Sequence, residues 1–132
     1  MGVGRATGPA ARVVIVTDED LVRWGRLLWL ETRGRRTGRW VRVTIGFVSE
    51  WEGAMLVAAS SSAPDWALNL RADPHCRVTV GDQMLECRAE ELTDDEHARA
   101  VRELILRYGT PSERLGEGPA FRLRAMNTPS EG

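Results

Sequence analysis

Five arginines fall within the ten residues from Arg33 to Arg42, in the run RGRRTGRWVR. A guanidinium is a planar, permanently charged fork that meets phosphate or carboxylate oxygens at two points, and Arg35, Arg36, Arg39 and Arg42 offer four of them. Gly34 and Gly38 let backbone N–H groups approach the same anion. A solvated hairpin tip is the competing reading, and spacing alone weighs the two equally. Ser60, Ser61 and Ser62 form a second candidate, because hydroxyls and loop N–H groups at a strand end bind phosphate, although such a run also serves as a plain polar loop. Trp66 and Asn69 form a third. Three residues apart on a short helix, an indole could stack on a flat heterocycle while an amide bonds its edge; core packing is the commoner fate of such a Trp.

Other chemistry is missing. All 18 basic residues are arginine and none is lysine, which excludes Schiff-base catalysis and the lysine of an ATP-binding loop. His75 and His97 have no Ser, Cys or carboxylate at triad spacing, so both read as structural. Cys76 and Cys87, with two histidines and no C-x-x-C or H-x-x-H spacing, suggest neither a metal site nor a disulfide framework. The chain thus supplies binding groups without an evident acid, base or nucleophile, and a bound cofactor is the expected reagent.

Charge locates the binding end. The formal net charge of −1 hides a segregation: residues 1–42 carry nine arginines and four acids, and residues 43–132 nine arginines and fifteen acids. Near-neutrality argues against a nucleic-acid partner, which needs a surplus of positive side chains. No apolar run approaches the ~20 residues of a membrane helix, and the start lacks a signal peptide's hydrophobic stretch, so a cytoplasmic protein is expected.

The elements that must position these residues follow from periodicity. Residues 1–11, rich in Gly, Ala and Pro, read as a flexible arm and 127–132 as a flexible tail, flanking one domain over 12–126. After the β-branched run ARVVIV, Thr17 caps a short helix to about Trp24. Leu27 to Thr32 and Trp40 to Val48 alternate as strands around the arginine loop, and Ala54 to Ser60 adds a third strand, giving a meander. A short helix over Trp66 to Leu70 ends before Pro74. A hairpin turning at Gly81-Asp82 sets Cys76 opposite Cys87 as two small reduced thiols. Thr93 with Glu96 makes a capping box for a helix bearing His97, Val101, Leu104, Ile105 and Tyr108 on one face. Ala120 to Met126 closes the set. An antiparallel α+β domain of about six strands results, and a small sheet of this kind favours closure into a barrel.

The ordered set LETRGRRTGRWVRV, AASSSAPDW and NLRADPHCRVTVG, then a capped helix ending in Tyr108, resembles the deazaflavin-dependent nitroreductase family of the flavin-reductase-like split β-barrel proteins. The likeness runs from about Leu30 to Tyr108; Ser62 and Ala63 stand where that family has paired glycines. It implies a split barrel binding coenzyme F420, an 8-hydroxy-5-deazaflavin hydride carrier with a phosphate and an oligoglutamate tail. It also implies an oxidoreductase reducing an activated double bond, quinone or nitro group of a small metabolite. By position, Arg36, Thr37 and Arg42 fall on the family's anion-binding hairpin, Ala58, Ser60 and Ser61 on its phosphate loop, and Trp66 and Asn69 beside the deazaflavin. The wider superfamily implies a homodimer. Three alternatives stay open: a barrel using FMN, a cofactor-independent isomerase or cyclase, and a non-catalytic flavin- or haem-binding module.

Overall fold

The computed structural model describes residues 15–109 and 117–126; the 1–11 arm, residues 12–14 and the 127–132 tail lie outside them. A short helix α1 (Asp18–Arg23) opens the described chain, its N-terminus closed by a capping box between Thr17 and Asp20. Seven strands follow: β1 (Leu28–Arg33), β2 (Trp40–Ile45), β3 (Val48–Ser49), β4 (Met55–Ala58), β5 (His75–Val80), β6 (Gln83–Leu92) and β7 (Ala120–Ala125). Helix α2 (Asp65–Ala72) lies between β4 and β5, and α3 (Asp94–Tyr108) between β6 and β7.

All seven strands belong to one sheet in the order β2-β1-β5-β6-β7-β4-β3, every pairing antiparallel. Its shape follows from its connectivity. Laid flat, seven strands at ~4.8 Å spacing would hold the outermost pair about 29 Å apart. Yet β2 and β3, the two edges, are joined by Gly46 and Phe47 alone, a span of three residue steps that reaches ~11 Å at most. The sheet must therefore roll until its edges meet, and it forms a curled half-barrel.

This connection also explains why six expected strands become seven. The run from Trp40 to Val48 alternates throughout, but it breaks at Gly46 because the chain crosses from one sheet edge to the other. The expected three-stranded meander is broken at the same place. Strand β4 pairs with β3 and β7, and does not lie beside β2.

Tyr108, the one tyrosine of the chain, fastens the seam. The Phe47 N–H donates to its hydroxyl at 2.9 Å, and the hydroxyl lies 2.7 Å from the Arg26 carbonyl oxygen, to which it donates. Its ring packs so closely on Gly46 that a Cβ there would sit 2.8 Å from Cε2, so only glycine fits.

Alternation along the strands divides the sheet faces. Leu28, Leu30, Cys76, Val78, Cys87, Phe121 and Leu123 fill the interior with Trp66 and Leu70 from α2. Outside, α3 covers one flank, where Leu56, Leu92, Ala100 and Ala120 form a second cluster. The buried residues of α3 are Ala100 and Leu104, a narrower stripe than periodicity suggested, and Val101 and Ile105 stay half-buried. The expected capping box of this helix does not form, since the Thr93 side chain makes no cap bond. Its other half is engaged elsewhere: Glu96 pairs with Arg122 at 3.1 Å.

Arg122, only 6% exposed, needs such partners. Glu50 meets its Nε at 2.7 Å and also pairs with Arg99 of α3 at 2.7 Å, tying β7 and the β3–β4 turn to the helix. The Arg122 hydrogen bond, helped by Arg99 and opposed by burial, holds the Glu50 carboxyl below its ordinary value.

Two tests follow from these contacts. Tyr108→Phe removes the hydroxyl from the seam and is expected to lower unfolding stability by ~1–2 kcal/mol in urea titration, as the Phe47 N–H loses its partner. For Glu50, the folded carboxyl binds protons less readily than the unfolded one. Its contribution is therefore complete above the ordinary value of 4.5 and is lost as pH falls through the lower folded value. Glu50→Gln should flatten the stability decline below about pH 4.5 in acid titrations followed by circular dichroism.

Candidate functional site

The hairpin joining β1 to β2 is held by its own backbone. The Gly34 N–H donates to the Arg39 carbonyl at 2.7 Å, and the Gly38 N–H donates to the Gly34 carbonyl at 2.8 Å. Gly38 has φ +76°, a left-handed conformation that favours glycine. The Thr37 hydroxyl accepts the Arg39 N–H at 3.1 Å and keeps its own proton to donate. Arg33 reaches along the loop to donate to the Gly38 carbonyl at 2.9 Å.

Asn69 of α2 anchors this loop to the barrel. Its side-chain carbonyl accepts both the Arg35 backbone N–H, at 3.1 Å, and the Arg35 guanidinium, at 2.8 Å. Its amide nitrogen donates to the Thr32 hydroxyl at 3.1 Å. Asn69 is 3% exposed and Thr32 fully buried, so these bonds are shielded from competing water. Asp65, one helical turn before Asn69, approaches the other arm of Arg35 at 3.2 Å.

Gly34, Arg35, Arg36, Thr37, Val41, Asp65 and Asn69 enclose a cleft of about 180 Å³. That is room for about six waters, or for one anionic group and its hydration, and less than the ~300–1,000 Å³ that a whole organic ligand fills. Two guanidiniums, a hydroxyl proton and one carboxylate leave the cleft net positive. Among the described residues, Arg36 and Arg39 make no ion pair. Larger hollows of about 500 and 400 Å³ lie over β6–β7 and along the outer side of α3, and neither includes a hairpin residue.

The structure brings Arg36, Thr37 and Asn69 of the sequence-nominated set into one cleft. Arg42 is not brought to it. Strand alternation turns Arg42 to the opposite sheet face from Val41, where its guanidinium lies 4.1 Å from the Trp29 ring centroid and 3.8 Å from Glu31. Trp66 is 8% exposed and packs in the barrel interior with its ring 5.9 Å from Phe121, and it is not among the residues that line the cleft. Ala58 ends β4 half-buried. Ser60 and Ser61 follow it on an exposed loop held against Gly118, where an added Cβ would strike the Ser61 carbonyl. Nothing among the described residues bonds these serines to the arginine cleft.

Sequence reasoning names Arg35 only among the loop arginines, and it assigns no role to Thr32 or Asp65. One signal was available: Asp65 and Asn69 stand four apart on a helix, which places them on one face toward the same partner.

The other candidates for chemistry are occupied or inert. Cys76 and Cys87 pair across β5–β6 and are fully buried; burial pushes the Cys76 thiol up to about 12 and the Cys87 thiol up to about 11. They are not thiolates at neutral pH. The His75 Nε2 meets Glu86 at 2.6 Å, and the His97 Nε2 meets the Gly118 carbonyl at 2.8 Å. The Tyr108 hydroxyl is engaged in the seam by the Phe47 N–H and the Arg26 carbonyl.

The rolled antiparallel half-barrel is a flavin-reductase-like fold. Within that class the model of the F420H(2)-dependent quinone reductase family matches residues 10–113, and the chain belongs to this family of oxidoreductases, whose cofactor is coenzyme F420. It is a deazaflavin-dependent reductase. The solved structures that share the fold include three with a TM-score of 0.64. One is an F420-H2-dependent reductase, FDR-A, at 23% identity over 75% of this chain and 94% of that one. Another is described as a domain-swapped dimer, at 22% identity over 80% and 92%. The third is the haem storage protein HutZ from Vibrio cholerae, at 20% identity over 83% and 88%.

Replacing Asn69 by Ala should cost ~1–3 kcal/mol in chemical unfolding, because the buried Thr32 hydroxyl and the Arg35 N–H lose their partner. Hydrogen exchange at the Arg35 amide should rise in the same variant.

Proposed function

We propose that the hairpin cleft holds an anionic part of coenzyme F420, its phosphate or glutamate tail, while a small metabolite bearing an activated double bond, quinone or nitro group is reduced beside it. The observation that carries this reading is the convergence of Arg35, Arg36, Thr37 and Asn69 on one cleft of the size and charge of a single anionic group. Family membership supplies the identity of the cofactor. When bound, reduced coenzyme F420 supplies a hydride.

The chain's own residues bind and orient. Arg36 lines the cleft and makes no ion pair among the described residues, so its guanidinium would meet the anion together with the Thr37 hydroxyl proton. Asn69 fixes the loop against α2, so that an anion fixed there is fixed relative to the barrel. Ala58, Ser60 and Ser61 at the end of β4 and Trp66 on α2 complete the proposed cofactor-facing set, with Trp66 acting through the packing of α2. Arg42, on the outer face, has at most a supporting role. The volume of the cleft leaves the tricyclic ring outside it.

The reading extends to a cytoplasmic homodimer. It is supported by two buried, unbridged cysteines, which suit a reducing compartment, and by the structural neighbour described as a domain-swapped dimer. No described helix is long and apolar enough to cross a membrane.

Titration of the purified protein with oxidised and reduced coenzyme F420 and with FMN, followed by fluorescence, tests the proposal. Saturable binding of the deazaflavin is expected, and binding of neither would sink the reading. Arg36→Ala should weaken the deazaflavin by ~1–3 kcal/mol, the value of a charge-assisted hydrogen bond. Arg42→Ala should change it by less than ~0.5 kcal/mol, as for a surface side chain away from the site. The reverse order would move the anion site to the outer sheet face.

A further inference from the structure

Asp65 stands apart from the rest of the cleft. The Arg35 side chain is 26% exposed and doubly engaged, whereas the Asp65 side chain is 84% exposed and, among the described residues, has one polar partner, the Nη2 of Arg35 at 3.2 Å. Asn69 holds the Arg35 backbone and Nη1 without help from Asp65. The loop therefore keeps its shape whether or not the carboxylate is in place. An exposed pair of this kind contributes little, so Asp65 can swing into water at small cost. Its position in the first turn of α2 is favourable in either rotamer, because a carboxylate suits a helix start.

A carboxylate oxygen on a guanidinium nitrogen at the mouth of an anion cleft sits where a ligand oxygen would sit. We propose that Asp65 is a built-in competitor: it occupies the outer nitrogen of Arg35 until an incoming phosphate or carboxylate takes its place. This rests on the reading of the hairpin cleft as an anion site, and not on which cofactor brings the anion.

Exchange of one carboxylate for another group sets selectivity. The displaced Asp65 remains at the rim as a negative charge, so a singly charged anion replaces one ion pair with an equivalent one and gains little. A ligand with several anionic oxygens reaches Arg36 and the Thr37 hydroxyl as well, and gains contacts that Asp65 never made. The cleft thereby rejects the small monoanions of the cell and accepts a group that spans both arginines.

The test compares the wild type with Asp65→Asn and with Asp82→Asn. Asp82 lies at the β5–β6 turn, at the far end of β5 from the hairpin, roughly 20 Å away at strand rise, so its variant removes the same charge without touching the cleft. The probes are inorganic phosphate and a triglutamate peptide, followed by the side-chain amide resonance of Asn69, with coenzyme F420 as a third ligand. Asp65→Asn should bind phosphate or triglutamate about 2–5-fold more tightly than the wild type, the factor set by releasing one exposed ion pair. Asp82→Asn should match the wild type. Tightening for phosphate alone assigns the cleft to the phosphate, and tightening for triglutamate alone assigns it to the tail. Equal effects of the two substitutions, no tightening for either probe, or no saturable binding by any of the proteins overturns the proposal.

The two readings fail separately. Tighter phosphate with no deazaflavin binding by any protein leaves the competitor standing and removes the cofactor reading. Deazaflavin binding that is identical in all three proteins, with phosphate unchanged in Asp65→Asn, does the opposite.

Discussion

The two-residue bridge from β2 to β3 is the constraint on which this architecture depends. Once Gly46 and Phe47 must join opposite edges of a seven-stranded sheet, the sheet has to curl, and the curl creates an interior that α2 enters with Trp66 and Leu70. Tyr108 makes the bridge specific. It satisfies the Phe47 N–H where the β ladder lapses and presses its ring on a residue with no side chain to obstruct it. The one tyrosine of the chain is thus committed to the architecture.

The same logic places the functional end. Entry of α2 into the barrel puts Asn69 beneath the arginine hairpin, and one buried amide converts a loop of like charges into a fixed cation array. Repulsion among Arg35, Arg36 and Arg39 would otherwise splay the tip. The loop's internal hydrogen bonds and the Asn69 anchor oppose that tendency before any ligand arrives. Under the proposed function, this array is what would hold an anionic part of coenzyme F420.

Much of this was legible from residue order. The Thr17 cap, the Gly81-Asp82 hairpin with Cys76 opposite Cys87, and the closing strand are all local: each depends on residues within a few positions. The break at Gly46 was not legible, because alternation continues through it and only a contact with Tyr108, sixty-two positions on, explains it. Sidedness was the other limit at the site. Arg42 belongs to the same charge run as Arg36, but strand alternation along β2 sets it on the opposite sheet face from Val41, beside Trp29 and Glu31. Glu96 repeats the lesson: its spacing from Thr93 signals a cap, but the demand of a buried guanidinium from β7 outweighs it.

The place of β7 has a consequence in time. The last strand of the sequence is interior to the sheet, between β6 and β4, so the two halves of the barrel share no ladder until it arrives. In a chain made from its N-terminus, β4 and β6 each keep one unpaired edge until β7 has emerged to join them. Folding is therefore a late, single commitment. Closure of the half-barrel within one chain waits on the strand that fills the slot between β6 and β4.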